Sequence, residues 1–183
     1  KFLPLHEDAC ACIQRRWRAT RLPFVSSTRA YGGSFLARLA SRVNAGQPCP
    51  AVVACDSQAF TVRDTEPYQY TRGYVHLLCA PRVFVRDCVR LACRDDRAVL
   101  VECMVAQGTS ALRSILESPF EPSELLLGWH VPPHASVPWL HLHVLYPVSR
   151  LPSPAQTRRW HSPMFISVDQ WRRQHCLSSP PPS

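Results

Sequence analysis

The 183-residue sequence lacks the features that would place it at once among membrane, secreted or zinc-bound proteins. No run of about 18 or more apolar residues occurs, so no membrane-spanning helix is expected. The first residues turn acidic at Glu7 and Asp8 without the sustained apolar stretch of a signal peptide, so secretion is not expected. No Cys-x-x-Cys pair occurs, and a structural zinc site built on two such pairs is therefore not expected.

Acidic residues are also scarce, with 13 against 21 lysines and arginines, which gives a formal charge of +8. This charge suits an anionic ligand such as a nucleotide, or loose association with nucleic acid. The basic residues are scattered, however, and this favours a solvated basic surface. The nine cysteines are odd in number and follow no framework spacing, so they are expected to be reduced, buried thiols. Together these features predict a protein of the cytoplasm and/or nucleus.

Three segments are predicted from the changes in composition. Residues 1–33 form a mixed N-terminal extension whose role is not legible, and residues 34–176 form one domain. Residues 177–183 are rich in serine and proline and are expected to be a disordered tail.

The pattern of apolar residues within the domain predicts both helices and strands. Ser34 is expected to cap a helix that ends at Gly46, and Asp95 to Leu116 predicts a longer helix. Short β-like runs occur at residues 51–54, 60–63, 74–79, 125–130, 139–145 and 165–168. This order predicts an α+β fold with an antiparallel sheet.

The segment from Trp139 to Leu145 carries the clearest chemical signal. If it is a strand, its side chains alternate, so Trp139, His141 and His143 share one face and the intervening apolar residues share the other. A proline-rich loop with the hydroxyl of Ser136 precedes it. The His-x-His spacing alone favours two histidines that are partly exposed or satisfied within the core, and a catalytic pair is the alternative.

Several ordered motifs resemble those of the histidine triad superfamily. Residues 141–145 resemble the second half of its His-φ-His-φ-His-φ-φ signature, where φ is apolar. Residues 41–48, 62–67 and 76–82 resemble three upstream segments of its Hint branch. Residues 128–136, Trp160 and residues 165–169 are most similar to the third Hint subgroup. The resemblance covers about residues 34–174.

The resemblance implies a fold, an activity and partners. The implied subunit is a five-stranded antiparallel sheet with two main helices, and it pairs into a homodimer. The implied activity is attack on the α-phosphorus of an adenosine 5′-phosphoramidate or acyl-adenylate. A histidine is transiently nucleotidylated, and water then releases AMP. No cofactor or metal is implied, and the expected ligand is a purine nucleotide.

The site residues implied by the resemblance fall into two groups. His141 matches the nucleophile and His143 the third triad position, which supports it. The residues expected to bind the nucleotide are Asp64, His76, Ser136 and His130. Asp64 is expected to accept hydrogen bonds from the ribose hydroxyls, because a carboxylate offers two acceptor oxygens.

Four departures from the family pattern leave the function open. Trp139 stands where the first triad histidine is expected, and Arg38, Ser41 and Phe84 replace the other metal ligands of zinc-bearing relatives. Three hypotheses follow. The chain is a working nucleotide hydrolase, or a degenerate member that binds nucleotide or protein without catalysis, or a nucleic-acid end-processing protein of the aprataxin type.

Overall fold

The computed structural model describes residues 34–64, 73–92, 96–117, 119–153, 159–161 and 163–175. The predicted N-terminal extension and the C-terminal tail lie outside the described residues. No helix within the described ranges is long and apolar enough to cross a membrane.

The described chain forms one mixed sheet-and-helix structure, which confirms the predicted α+β class. The strands are β1 (Val52–Cys55), β2 (Ala59–Arg63), β3 (Val75–Pro81), β4 (Leu126–His130), β5 (Leu142–Tyr146) and β6 (Phe165–Ser167). The helices are α1 (Phe35–Asn44), α2 (Cys88–Ala92), α3 (Arg97–Ile115) and α4 (Val168–Gln174). Short 3-10 turns lie at Pro122–Glu124 and Val148–Arg150.

The sheet has six antiparallel strands in the order β1-β2-β3-β5-β4-β6, so the expectation of five strands is wrong. The additional strand is β6, which pairs with the outer edge of β4. Gly128 permits this approach, because a Cβ atom there would lie 2.4 Å from the Phe165 ring and from the carbonyl oxygen of Ile166. The β4 edge is thereby covered.

The predicted N-cap of α1 is confirmed. The Ser34 hydroxyl accepts a hydrogen bond from the Ala37 amide at 3.1 Å, which satisfies one of the four amides left unpaired at a helix start. Gly46 follows the helix with a φ of +66°, a conformation that glycine adopts without strain. Asp95, where the longer helix was expected to begin, lies outside the described residues.

The two faces of the sheet bury different kinds of side chain. Helix α3 covers one face with an apolar stripe that includes Leu100, Met104 and Leu112. Gly108 lets this helix lie close to β5, because a Cβ atom there would be 2.8 Å from Val144 Cγ2. The opposite face is covered by α1 at one end and carries the histidines at the other.

Burial of the thiols is only partly as expected. Cys79 and Cys88 are buried, and burial raises the pKa of Cys79 to about 12 and that of Cys88 to about 11. Cys55 is exposed, so the expectation of buried thiols is wrong there, because it ends the short edge strand β1.

Candidate active site

His141 lies just before β5, so the predicted strand over 139–145 begins later than expected. Its Nδ1 is 2.7 Å from the backbone carbonyl oxygen of Trp139. A carbonyl can only accept, so Nδ1 carries the proton and Nε2 keeps its lone pair. Burial lowers the pKa of His141, and this keeps the ring neutral. The side chain is 8% exposed. The result is a neutral imidazole with a fixed tautomer and a nucleophilic Nε2.

The backbone and the side chain of Trp139 make different contacts. The backbone carbonyl holds His141, whereas the indole is fully buried in the apolar cluster between α1 and the sheet. The indole Nε1 donates a hydrogen bond to the carbonyl oxygen of Pro81 at 3.1 Å. Its ring meets Phe84 edge-on at 5.2 Å between centroids. Trp139 therefore belongs to the packed wall of the site.

A buried row of side chains links three of the predicted site residues. Asp64 Oδ2 lies 2.8 Å from His76 Nδ1, and His76 Nε2 lies 2.8 Å from His143 Nδ1. His76 and His143 are 0% and 2% exposed. His143 Nε2 is buried and has no hydrogen-bond partner among the described residues. Burial, followed by the neighbouring His141, His76 and His130, holds the pKa of His143 well below its usual range.

His130 completes the group at the end of β4. Its ring meets that of His143 edge-on at 4.6 Å, and its Nδ1 lies 3.3 Å from the Met164 carbonyl oxygen. Burial lowers the pKa of His130 to about 4, so this ring is also neutral near pH 7. The fold thus brings His130, at the end of β4, close to His141 and His143, at the start of β5.

A small open cleft lies beside His141 and His130. Its lining also includes Ala135 and Val137 from the proline-rich loop, and Arg86. Ser136 lies between two of these lining residues and is itself exposed. Its hydroxyl makes no hydrogen bond within the described part of the chain.

Trp160, which is part of the family resemblance, and Arg159 also belong to this region, but neither was predicted as a site residue. The Trp160 ring lies 5.1 to 5.4 Å from the rings of His76, His143 and His130. The Arg159 guanidinium stacks over Trp160 at 4.7 Å. It is close enough to lower the pKa of all three of His130, His141 and His143. A basic residue beside an aromatic one in a loop has no periodicity that could have indicated this position.

Comparison with known proteins decides the family. The family model for "scavenger mRNA decapping enzyme C-term binding" matches residues 39–159, well over half of the chain. The adenosine 5′-monophosphoramidase HINT3 of Mus musculus is 31% identical over 131 residues, which cover 70% of this chain and 74% of that protein. The chain belongs to the histidine triad superfamily. Its relatives lie in the Hint branch. The HINT3 of Xenopus tropicalis is 34% identical over 96 residues, which cover 52% of this chain and 60% of that protein.

Solved structures agree with the histidine triad fold. The structure described as Hnt3 in complex with DNA and guanosine superposes with a TM-score of 0.51 and 22% identity, over 74% of this chain and 75% of that one. An aprataxin ortholog Hnt3 in complex with DNA gives a TM-score of 0.51 and 21% identity over 74% of this chain and 73% of that one. At this identity the likeness establishes the fold alone.

Within the histidine triad superfamily, the altered positions of this chain form a coherent set. Phe84 packs against Trp139, and Arg38 and Ser41 are exposed on α1. None of these four side chains is a usual zinc ligand. Across the described residues, no group of three or more His, Cys, Asp or Glu side chains is arranged to hold a metal ion. Of the four positions, Trp139 and Phe84 are part of the apolar wall, whereas Arg38 and Ser41 are exposed.

Proposed function

We propose that this histidine triad protein hydrolyses adenosine 5′-phosphoramidates or acyl-adenylates to AMP through a nucleotidyl group on His141. The observation that carries the proposal is the 2.7 Å contact between His141 Nδ1 and the Trp139 carbonyl. It leaves Nε2 unprotonated, and a neutral imidazole nitrogen is the form that attacks phosphorus. The His143 ring lies beside it, with 4.8 Å between the two ring centroids.

The chemistry has two steps that balance. In the first step, His141 Nε2 forms a bond to the α-phosphorus while the bond from phosphorus to the leaving group breaks. An amine leaving group departs with one proton taken from the site, whereas a carboxylate departs without one. In the second step, water attacks the same phosphorus, the nitrogen–phosphorus bond breaks, and the proton of the water returns to the site. The net reaction consumes one water and yields AMP and the amine. Each displacement is easier than a direct attack by water.

Trp139 is compatible with this chemistry because the contribution to the nucleophile comes from the main chain. Any residue at this position offers the same carbonyl, provided the local backbone is held in place. The buried indole and its bond to Pro81 hold it here. Loss of the first triad histidine therefore leaves the tautomer of His141 intact.

The remaining sequence-predicted residues keep proposed roles in binding. Ser136 is proposed to contact the phosphate or the leaving group from the border of the cleft, and His130 to contact the phosphate. Asp64 is proposed to contact the ribose with its carboxylate, which is partly exposed at 22%. Two relatives at 31% and 34% identity are named adenosine 5′-monophosphoramidases, which supports an adenylyl substrate. A homodimer remains part of the proposal.

Turnover of adenosine 5′-phosphoramidate tests the proposal. We expect AMP release by the wild-type chain and a loss of about a thousandfold or more in His141→Ala, because the nucleophile is removed. His134→Ala is the matched control, since His134 is an exposed histidine of the same loop region, and it is expected to retain activity. Mass spectrometry of a rapidly quenched reaction should find one adenylyl group on the wild-type chain.

Three results would contradict parts of this proposal. Absence of AMP release by the wild-type chain, with AMP still binding in calorimetry, would favour the degenerate nucleotide-binding module. Turnover that persists in His141→Ala would remove the proposed nucleophile. Tight binding to nicked DNA at physiological salt would instead favour the end-processing hypothesis.

A further inference from the structure

Arg86 is a basic side chain of the cleft that the proposed chemistry does not use. It lies on the irregular segment between β3 and α2, and it lines the cleft together with His141 and His130. Its side chain is 58% exposed. Its Nε lies 3.7 Å from Asp87 Oδ2, which is an ion pair beyond the usual length of a hydrogen bond. Most of the five N–H donors of the guanidinium are therefore available to a ligand.

Two contacts fix the segment that carries this cation against the site histidines. The Leu140 amide, which precedes His141 in the chain, donates a hydrogen bond to the carbonyl oxygen of Val85 at 2.6 Å. The Cys88 thiol lies 3.9 Å from the carbonyl oxygen of His130. The cation comes between Val85 and Cys88 in the chain, so its backbone is held beside the segment of the nucleophile.

The carboxylate next to Arg86 is already engaged by the fold. Asp87 has a side chain that is 14% exposed, and its Oδ1 accepts a hydrogen bond from the Arg90 amide at 2.9 Å. Its carbonyl oxygen accepts from the Leu91 amide at 3.0 Å. Asp87 thus satisfies amides at the start of α2, as a helix cap does, and reaches Arg86 only across the longer contact.

The cleft suits the group on phosphorus that leaves. His141 lines it, whereas Asp64, which is proposed to contact the ribose, is not among the described residues that do so. The lining also includes the apolar side chains of Val137 and Leu140. A leaving group that lies along these side chains is therefore close to the guanidinium of Arg86.

We propose that Arg86 determines the leaving group by pairing with a carboxylate, so that the preferred substrate is an adenosine 5′-phosphoramidate whose nitrogen belongs to an amino acid. The proposal rests on the proposed function, because it names the leaving group of the same reaction. A planar guanidinium matches a carboxylate with two parallel N–H···O bonds. The amino acid departs with one proton taken from the site, as any amine does. Arg86 supplies no proton, because a guanidinium stays charged.

Three substrates test the charge of the leaving group at nearly constant size. They are the adenosine 5′-phosphoramidates of glycine, glycinamide and ethylenediamine, which carry a carboxylate, a neutral amide and an ammonium group. The three amines differ in basicity, and this alone changes the rate of the displacement. The effect of a substitution on each substrate therefore decides the matter, and not the order of the substrates.

In Arg86→Gln, kcat/KM for the glycine adduct should fall about tenfold, because a charge-assisted pair is lost. The loss should appear in KM more than in kcat, since the carboxylate is bound equally before and during the displacement. The glycinamide adduct should change by less than about twofold, and the ethylenediamine adduct should be turned over faster. Arg86→Lys should lose about threefold on the glycine adduct, because it keeps the charge without the fork.

Arg90→Gln is the matched control, since it makes the same change at an exposed arginine of α2, and it should leave all three substrates unaffected. Equal losses for the glycine and glycinamide adducts in Arg86→Gln would overturn the proposal, because the carboxylate would then play no part. A larger loss for the ethylenediamine adduct would overturn it as well.

Calorimetry with His141→Ala separates this proposal from the proposed hydrolysis, because the adducts then bind without turnover. Addition of Arg86→Gln should weaken the glycine adduct about tenfold and leave the glycinamide adduct unchanged. This difference, found for a chain that hydrolyses no phosphoramidate, would refute the proposed function and leave the assignment of Arg86 standing. Hydrolysis through His141 without any dependence on Arg86 would do the reverse.

Discussion

The two faces of the sheet bury side chains of different chemistry, apolar on one face and polar on the other. The face under α3 is filled by side chains such as Leu77, Leu142 and Val144, which need no particular partner. The opposite face buries His76, His141 and His143, and each of these needs a donor or acceptor at a fixed position. An apolar side chain contributes in proportion to the area it buries, whereas an unpaired buried polar group costs free energy. One face thus provides stability and the other provides defined proton positions.

A substitution under α3 should affect stability and leave the histidines unchanged. Leu142→Ala removes a fully buried side chain of β5 and should lower the free energy of unfolding by about 2–5 kcal/mol. Urea unfolding measures this loss. His141 and His143 lie on either side of Leu142 along the chain but point to the other face, so their NMR tautomers should be unchanged.

The control is Leu127→Ala on the same face of β4, where the side chain is only half-buried. It should lower the free energy of unfolding by less than Leu142→Ala does. The separation of the two faces would be contradicted if Leu142→Ala altered the proton position on His141.

The sequence predicts the apolar face better than the polar one, and the reason is physical. Alternation along residues 139–145 correctly separates Leu142 and Val144 from His141 and His143, because a strand has a period of two. The link between Asp64, His76 and His143 joins residues far apart in the chain, and no local pattern encodes it. Family resemblance identified all three residues but implied a ribose contact for Asp64, and the structure shows its contact with His76.

The start of helix α4 is likewise set by tertiary structure. The helix begins at Val168, its cap is Ser167, and Asp169 lies within its first turn. The Ser167 hydroxyl accepts from the Gln170 amide at 3.2 Å, and the Gln170 side chain accepts from the Ser167 amide at 3.2 Å. Because β6 ends at Ser167, the strand register fixes the start of the helix, and this register is a tertiary property.

Trp139→His separates the structural and catalytic parts of the histidine face. It restores the side chain that the triad signature has, but it removes an indole packed in the cluster under α1. We expect a loss of about 3 kcal/mol in the free energy of unfolding, because a smaller polar ring leaves a cavity. Turnover per folded molecule should change by less than about tenfold, because the carbonyl bonded to His141 belongs to the main chain.

Trp139→Phe is the matched variant, since it keeps an aromatic ring and loses the hydrogen bond to Pro81. It should lower the free energy of unfolding by about 1 kcal/mol. A gain in turnover of a hundredfold or more in Trp139→His would show that the missing imidazole limits catalysis, and it would favour a degenerate site in the natural chain.

The dependence of stability on pH should also distinguish the two faces. Burial lowers the pKa of His130 to about 4 and lowers those of His141 and His143, so the unfolded chain binds these protons first as the pH falls below about 6.5. Stability is therefore highest above this pH and declines below it, with a limiting slope of about 1.4 kcal/mol per pH unit for each of these histidines.

His130→Gln should reduce the slope below pH 6, whereas the exposed His134→Gln should not. Leu142→Ala should lower stability equally at pH 7.5 and pH 5.5, because the substitution removes no titratable group and Leu142 packs in an apolar cluster. Urea unfolding at several pH values measures all four chains, and a slope unchanged in His130→Gln would show that this ring is already charged in the folded protein.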